Sequence, residues 1–220
     1  MADESEILLS TAYLPPVQYI SKFLKYKTIR IEAHEHFLKQ TYRNRTIIES
    51  GNGLETLIIP VQGEGKKKKI KDLKISYVEN WRSIHWNAIV TAYSSSPFFD
   101  ILKYDFKPLY HKKTTFLLDF NMKLLEIILD LLEINTDIQL TETFEEIPDN
   151  CLNMREAIHP KLLKAAPDPL FKAYPYTQVY EDKYPFYPNL SIIDLLFNSG
   201  SEAFEILRKS TLINGEISCQ

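Results

Sequence analysis

Hydrophobic and polar positions alternate with two different periods along this chain, and the change of period separates a strand-rich first part from a helix-rich second part. Residues 7–14 form an apolar run that ends at two consecutive prolines, which predicts a strand followed by a turn. Residues 17–24 then carry apolar side chains at helical spacing. Residues 28–36 alternate strictly, so we expect a strand with His34 and His36 together on its polar face.

Further strands are predicted at residues 45–48, 54–61 and 73–78, with glycine-containing turns between them and mainly antiparallel pairing. From Trp81 the apolar spacing becomes helical, and Asn80 is expected to cap this helix. The first half of the chain should therefore supply the β-sheet.

Helices are expected to predominate in the middle of the chain. A short helix is predicted at residues 98–106, between two prolines, and a long core helix begins at about residue 115. Charged residues recur along one face of this long helix, which excludes a transmembrane span.

Residues 141–190 are acidic, proline-rich and aromatic, so we expect irregular chain packed on the domain. Residues 191–197 return to helix and end at Asn198-Ser199-Gly200, after which Ser201 caps a last helix. This order of elements predicts an α/β or α+β fold, in which a mixed β-sheet from the N-terminal half packs against helices from the middle and the C-terminal half.

Size and charge narrow the class of protein. A chain of 220 residues, 45% of them hydrophobic, is expected to form one domain over residues 1–220. Its net charge of -3 lacks the basic surplus of a nucleic-acid-binding protein. The dense basic run Lys66–Lys69 is interpreted as a solvated loop tip, with a phosphate or acidic-lipid contact as the alternative. Residues 1–6 do not resemble a signal peptide and there are only two cysteines, so a cytoplasmic location is expected.

The densest group of reactive side chains lies between His34 and Arg45. Guanidinium groups of Arg43 and Arg45 can hold a phosphate or carboxylate, and a nearby histidine can accept a proton at neutral pH. A phosphorylated or acyl donor would fit such a site, and a solvated strand end is the alternative interpretation. The candidate residues in this stretch are His34, His36, Lys39, Tyr42, Arg43, Asn44 and Arg45.

Three further residues, His85, Trp81 and Gln18, are candidates outside this stretch. His85 follows Trp81 on the apolar face of its helix, where it is either a core histidine or a catalytic base in a pocket lined by tryptophan. Gln18 starts the first helix, where free backbone N–H groups can hold an anion. The spacing of His34 and His36 also suits two metal ligands, with His85 or a carboxylate as a third.

Several motifs are absent from the sequence. Dinucleotide-binding, P-loop, hydrolase-elbow and zinc-protease signatures do not occur, so the sequence specifies no cofactor. Only six glycines are present, and any phosphate would therefore be held by side chains or by a helix N-terminus.

Five collinear segments together resemble one known family, the WbqC-like protein family. The family takes its name from a gene found in O-antigen clusters, so the resemblance implies surface-polysaccharide assembly and transfer onto a sugar. Pro15, Arg43, Asn44, Arg45 and residues 190–198 match best. The segments are LLSTAYLPPVQYISKF (8–23), IEAHEHFLKQTYRNR (31–45), LETLIIPV (54–61), NWRSIHWNAIVTAYSSSPFF (80–99) and NLSIIDLLFNSG (189–200).

Three hypotheses for function follow. The first is a transferase in bacterial surface-polysaccharide biosynthesis, in which Arg43 and Arg45 bind an anionic donor, a histidine acts as base, and a small-molecule donor or a sugar is the partner. The second is a non-catalytic binding or scaffold protein, whose aromatic segment at residues 174–188 forms an exposed partner surface. The third is a metalloenzyme with histidine ligands. The oligomeric state is not determined by the sequence.

Overall fold

The structure is a computed structural model that describes residues 6–63, 67–146 and 151–211. Parts of three predictions therefore lie outside the described residues: the N-terminal residues 1–5, Lys66 of the basic run, and residues 147–150 of the irregular segment.

The described residues form an α/β fold with two separate sheets. Its strands are β1 (Glu6–Ser10), β2 (Thr28–Glu32), β3 (Arg45–Ser50), β4 (Gly53–Ile58), β5 (Asp137–Leu140) and β6 (Leu152–Asn153). The main sheet has the order β5-β2-β1-β6, and each pair of neighbours in it is parallel. The hairpin of β3 and β4 is antiparallel, as expected for this part of the chain. The predicted α/β class is thus confirmed.

Helices connect and cover the strands. They are α1 (Val17–Ser21), α2 (Trp81–Tyr93), α3 (Phe99–His111), α4 (Leu117–Leu131), α5 (Ile192–Ser199) and α6 (Ala203–Ser210). Helix α1 lies between the parallel strands β1 and β2, which makes a βαβ unit. No helix among the described residues is long and apolar enough to cross a lipid bilayer.

The core is centred on β1. Ile7, Leu8 and Leu9 are almost completely buried, as is typical of a parallel strand whose two faces are both covered. This burial explains why the first apolar run is continuous rather than alternating. The end of α5 is fixed by Gly200, whose φ of 52° favours glycine and whose added Cβ would lie 2.3 Å from the ring of Phe98.

Strand β2 ends at Glu32, four residues earlier than predicted. The backbone leaves the strand direction because Ala33 N–H donates to Thr141 Oγ1 at 3.0 Å and His34 N–H donates to Glu32 Oε1 at 2.8 Å. His34 and His36 therefore lie on a turn and not on one strand face.

Two other predicted elements differ from the structure. The predicted strand at residues 73–78 is wrong, because this segment makes only isolated bridges to residues 61 and 116. The predicted helix at residues 98–106 is longer than expected: α3 continues to His111 and contains Pro108. The hairpin turn was predicted correctly, since Ser50 pairs with Gly53.

Candidate functional site

The carboxyl ends of the parallel strands meet at one edge of the main sheet. Strands β2 and β5 lie on one side of β1, and β6 lies on its other side, so the strand order reverses next to β1. In open α/β sheets, ligands bind outside the carboxyl ends of the strands where the order reverses. Ser10 at the end of β1 and Asn153 at the end of β6 mark this position.

A groove of about 670 Å³ opens at this edge. Its walls come mainly from two stretches, the turn after β2 and the chain after β6. The lining residues are Glu35, His36, Leu38, Phe144, Glu146, Asn153, Arg155, Glu156, Ala157, Lys164 and Ala166.

Beneath the groove lies a buried ion pair between Arg43 and Glu35. Arg43 Nε donates to Glu35 Oε1 at 2.7 Å, and Arg43 Nη2 donates to Glu35 Oε2 at 2.6 Å. The same Nη2 atom donates to Ser10 Oγ at 2.6 Å. Only 2% of Arg43 is exposed, so its guanidinium charge lies in the protein interior and is paired there with Glu35.

A second buried ion pair, between Arg155 and Glu32, lies beside the first. Arg155 Nη1 donates to Glu32 Oε2 at 3.0 Å, while Thr141 Oγ1 donates to Glu32 Oε1 at 2.7 Å. Ser10 Oγ donates to the backbone carbonyl of Arg155 at 2.9 Å, which joins the two pairs. The carboxyl ends of β1, β2, β5 and β6 are therefore held together by one hydrogen-bonded network.

The exposed charges of the groove have both signs. His36 and Lys164 are exposed and can approach an anion, whereas Glu146 and Glu156 can accept hydrogen bonds from hydroxyl groups. Phe144 stacks under the guanidinium of Arg155 at 4.9 Å and adds an apolar surface. The groove lining thus contains exposed basic and acidic side chains together with an aromatic ring.

The remaining predicted residues of the His34–Arg45 stretch do not line the groove. Tyr42 is buried, which raises the pKa of its phenol to about 12. Asn44 is buried and donates from Nδ2 to the Ile59 carbonyl at 2.8 Å, a structural contact with the end of β4. Arg45 is half-buried on β3, where burial lowers the pKa of its guanidinium and Nε has no hydrogen-bond partner among the described residues. Lys39 is exposed.

His85 and Trp81 lie in an aromatic cluster of the core. His85 is 4% exposed, and its Nδ1 lies 3.0 Å from the hydroxyl of Tyr13, which in turn lies 2.7 Å from the Tyr110 hydroxyl. Burial lowers the pKa of His85 to about 4, so the imidazole is neutral at pH 7 and shares a hydrogen bond with the Tyr13 hydroxyl through Nδ1. Trp81 contacts His85 edge-on, with ring centroids 5.1 Å apart.

The start of α1 is occupied by protein groups. Gln18 N–H donates to Asn189 Oδ1 at 2.8 Å, and Gln18 Nε2 donates to Asp168 Oδ2, also at 2.8 Å. Asp168 also forms an ion pair at 2.5 Å with Lys22, which is 1% exposed. These contacts attach the irregular segment to α1 and leave Gln18 fully hydrogen-bonded.

His34 is half-buried and His36 is exposed. Within residues 6–63, 67–146 and 151–211, no group of three or more His, Cys, Asp or Glu side chains is arranged to hold a metal ion.

The sequence matches the description "WbqC-like protein family" over residues 11–162, which is more than half of the chain. The chain belongs to the WbqC-like protein family. It is also 26% identical over 223 residues to "Uncharacterized protein Rv1507c" of Mycobacterium tuberculosis (strain ATCC 25618 / H37Rv), an alignment that covers 89% of this chain and 91% of that protein. No solved structure gives a significant match.

The range that matches the WbqC-like family contains both ion pairs at the carboxyl ends of the strands. Arg43, Glu35, Arg155 and Glu32 all lie within it, together with most of the groove lining. Lys164 lies just beyond its end.

Several polar residues of this WbqC-like chain were missed by sequence reasoning. The missed residues end or closely follow parallel strands, and a polar residue at the carboxyl end of a strand is the signal that could have identified them. They are Ser10, Glu32, Asn153 and Arg155. For Asn153 and Arg155 this signal can be used only if β6 is recognised as a strand. Strand β6 has two residues and was not predicted.

A pair of buried carboxyl groups was also missed. Burial raises the pKa of Glu49 to about 7, with a further contribution from Asp194, and neither carboxyl oxygen of Glu49 has a hydrogen-bond partner among the described residues. Burial raises the pKa of Asp194 to about 6, although Tyr176 and Tyr93 donate to it at 2.7 and 3.0 Å. Asp194 thereby connects α5 to Tyr176 of the aromatic segment, and both carboxyl groups lie in the protein interior.

Proposed function

We propose that this protein is a cytoplasmic transferase that binds an anionic, sugar-containing donor in the groove and passes a group from it to a sugar, in bacterial surface-polysaccharide biosynthesis. The observation that carries the proposal is the position of the groove at the reversal of strand order next to β1, with His36 and Lys164 exposed in its lining. The link to polysaccharide rests on the resemblance that names the family.

In this proposal Arg43 and Arg155 do not bind the donor, although their positive charge would suit that role. Arg43 and Arg155 are buried against Glu35 and Glu32, so they hold the groove floor in one shape. Positioning of this kind lowers the cost of ordering a bound donor. The charge of the donor is met by Lys164 instead.

The transfer step uses His36 as the base. An acceptor hydroxyl gives its proton to the imidazole while its oxygen forms a bond to the transferred group of the donor. The bond between that group and the leaving phosphate breaks, and its electron pair remains on the phosphate oxygen beside Lys164. The proton then passes from His36 to water.

Calorimetric titration with nucleotide sugars and sugar phosphates tests the proposal. For the donor that binds, we expect Lys164→Ala to weaken affinity about tenfold, because one charge-assisted contact is lost. Lys107→Ala and His111→Ala, which change exposed residues of α3, are the matched controls and should bind normally. Failure of every donor to bind, or equal weakening by the α3 variants, would refute the proposal.

A non-catalytic binding protein is the second candidate. A separate pocket of about 470 Å³ favours it, because aromatic and polar side chains of the irregular segment line this pocket together. Tyr176 and Phe186 meet edge-on in it, with ring centroids 5.3 Å apart. Donor binding without product formation, together with an unchanged affinity in His36→Ala, would select this candidate over the transferase.

A further inference from the structure

Two adjacent leucines project into solvent next to the groove. Leu162 is 90% exposed and Leu163 is 102% exposed, and they form a single 3-10 turn with Lys164. Leucine is among the residues most often buried, and scattered exposed leucines are normal, but two neighbouring ones with almost no contacts place their full apolar area in water. Exposed Lys161 and Lys164 flank them on both sides.

Backbone hydrogen bonds define the turn that carries these two leucines. Lys164 N–H donates to the Lys161 carbonyl at 2.9 Å, and Ala165 N–H donates to the Leu162 carbonyl at 3.2 Å. Ala166 N–H donates to the Ala157 carbonyl at 3.0 Å, which attaches the turn to the chain after β6. We call residues 161–164 the dileucine turn.

The dileucine turn is linked to the basic run through the chain after β2. The ammonium group of Lys161 donates a hydrogen bond to the side chain of Gln40, so the turn contacts the chain after β2. That chain in turn pairs with the basic run, because His36 bridges Lys69 and Phe37 N–H donates to the Lys68 carbonyl at 2.9 Å. Lys68 and Lys69 are therefore attached to the groove wall that the turn after β2 forms.

Leu38 and Phe144 extend the apolar part of this surface. They are 39% and 51% exposed and both line the groove that Lys164 also lines. The acidic residues of this region, Glu146 and Glu156, belong to the groove lining and not to the dileucine turn.

We propose that the dileucine turn docks this protein onto an anionic lipid bilayer. Leu162 and Leu163 insert at the boundary between headgroups and acyl chains, while Lys161 and Lys164 extend along the surface to anionic headgroups. A protein partner is less favoured, because a stable interface buries roughly 800 Å² on each side, whereas two projecting leucines between lysines form a small anchor.

Docking would set the orientation of the groove. Lys164 belongs both to the dileucine turn and to the groove lining, so a docked molecule holds the groove mouth beside the headgroups. A substrate carried in the membrane surface would then reach the groove without entering bulk water. This inference stands on the exposed leucines and their lysines, and it is independent of the transfer reaction.

Vesicle co-sedimentation tests the inference directly. The full chain is mixed with phosphatidylcholine vesicles that contain or lack phosphatidylglycerol. We expect binding to the anionic vesicles only, weakened by salt, and a fall of roughly tenfold or more in the partition coefficient for the double variant Leu162→Ser, Leu163→Ser. Val78→Ser is the matched control, because Val78 is 94% exposed at a different place and should not contribute.

Several results would overturn the inference. They are the absence of binding to anionic vesicles, equal binding by the double leucine variant, or an equal loss in Val78→Ser. Concentration-dependent self-association that the double variant abolishes, without vesicle binding, would assign the turn to contact with a second copy instead. All substituted side chains are exposed, so unchanged thermal unfolding of each variant verifies that the fold is intact.

Discussion

Arg43 and Glu35 form a two-point ion pair, with contacts of 2.7 and 2.6 Å, in which Glu35 lines the groove and Arg43 lies buried behind it. Eight residues separate them in sequence, and the turn after β2 brings them together. The arginine that charge and family resemblance both favour as a donor ligand therefore has a partner inside the protein. Replacing Arg43 should therefore mainly lower the stability of the fold.

The first prediction concerns the stability of this pair. Arg43→Met leaves the Glu35 carboxylate buried without a counter-charge, so the free energy of unfolding should fall by about 3 to 5 kcal/mol in urea denaturation. The double variant Arg43→Met, Glu35→Leu should recover most of the loss, because both charges are then absent. The exposed pair of Arg208 and Glu205 is the control, and Arg208→Met should leave stability almost unchanged. An Arg43→Met protein as stable as wild type would contradict a structural role.

The second prediction concerns the buried carboxyl pair. Glu49 and Asp194 have pKa values of about 7 and 6 in the folded protein, above their ordinary values, so the folded state binds more protons than the unfolded state. Their stabilising contribution is complete below about pH 4 and is lost as pH rises through about 7. Between pH 5 and pH 8 the free energy of unfolding should therefore fall in denaturation titrations. Glu49→Gln should flatten this dependence, and a wild-type slope in that variant would count against the pair.

The third prediction concerns His85, whose effect has the opposite sign. Its pKa of about 4 in the folded protein lies below the ordinary value of 6.5, so the unfolded chain binds the extra proton and stability falls as pH drops between those values. His85→Phe should remove this acid destabilisation and cost about 1 kcal/mol at pH 7, where the bond to Tyr13 is lost. Donor affinity and turnover should be unchanged. A large loss of turnover with normal stability would instead support a catalytic His85.

The fourth prediction concerns the attachment of the irregular segment. Asp168→Ala leaves Lys22 buried without its partner, since only 1% of the lysine side chain is exposed, and should destabilise the fold by about 3 kcal/mol. Limited proteolysis should then cleave faster within residues 160–175 than in wild type. Asp182→Ala, at an exposed position of the same segment, provides the comparison. Equal cleavage rates in both variants would argue against the Lys22 contact as the anchor.

Much of the fold follows from local patterns in the sequence. The apolar run at 7–14, the alternation after residue 28 and the Gly-Asn turn identified β1, β2 and the hairpin, because each pattern is set by local burial. Strands β5 and β6 have four and two residues and are mostly exposed or half-buried, so neither carries a recognisable alternation. Each of them forms because it pairs with the edge of β2 or β1, a strand that lies far away in the sequence.

The site was only partly predictable for the same reason. Residue type and density pointed to the stretch His34–Arg45, and the groove includes His36 from it. Arg155 and Lys164 come from chain that shows no regular period, and only the pairing of β6 with β1 places that chain at the sheet edge. The burial of Arg43 was not visible either, because its partner Glu35 lies on a turn that looked like a continued strand.

Hydrogen exchange with and without saturating donor, read by mass spectrometry, tests the location of the site most directly. We expect slower exchange in peptides that cover residues 33–39 and 153–166, the two stretches that form the groove walls, and no change in residues 175–187. Protection confined to residues 175–187, or a donor that binds without protecting either groove wall, would contradict a donor site at the carboxyl edge of the sheet.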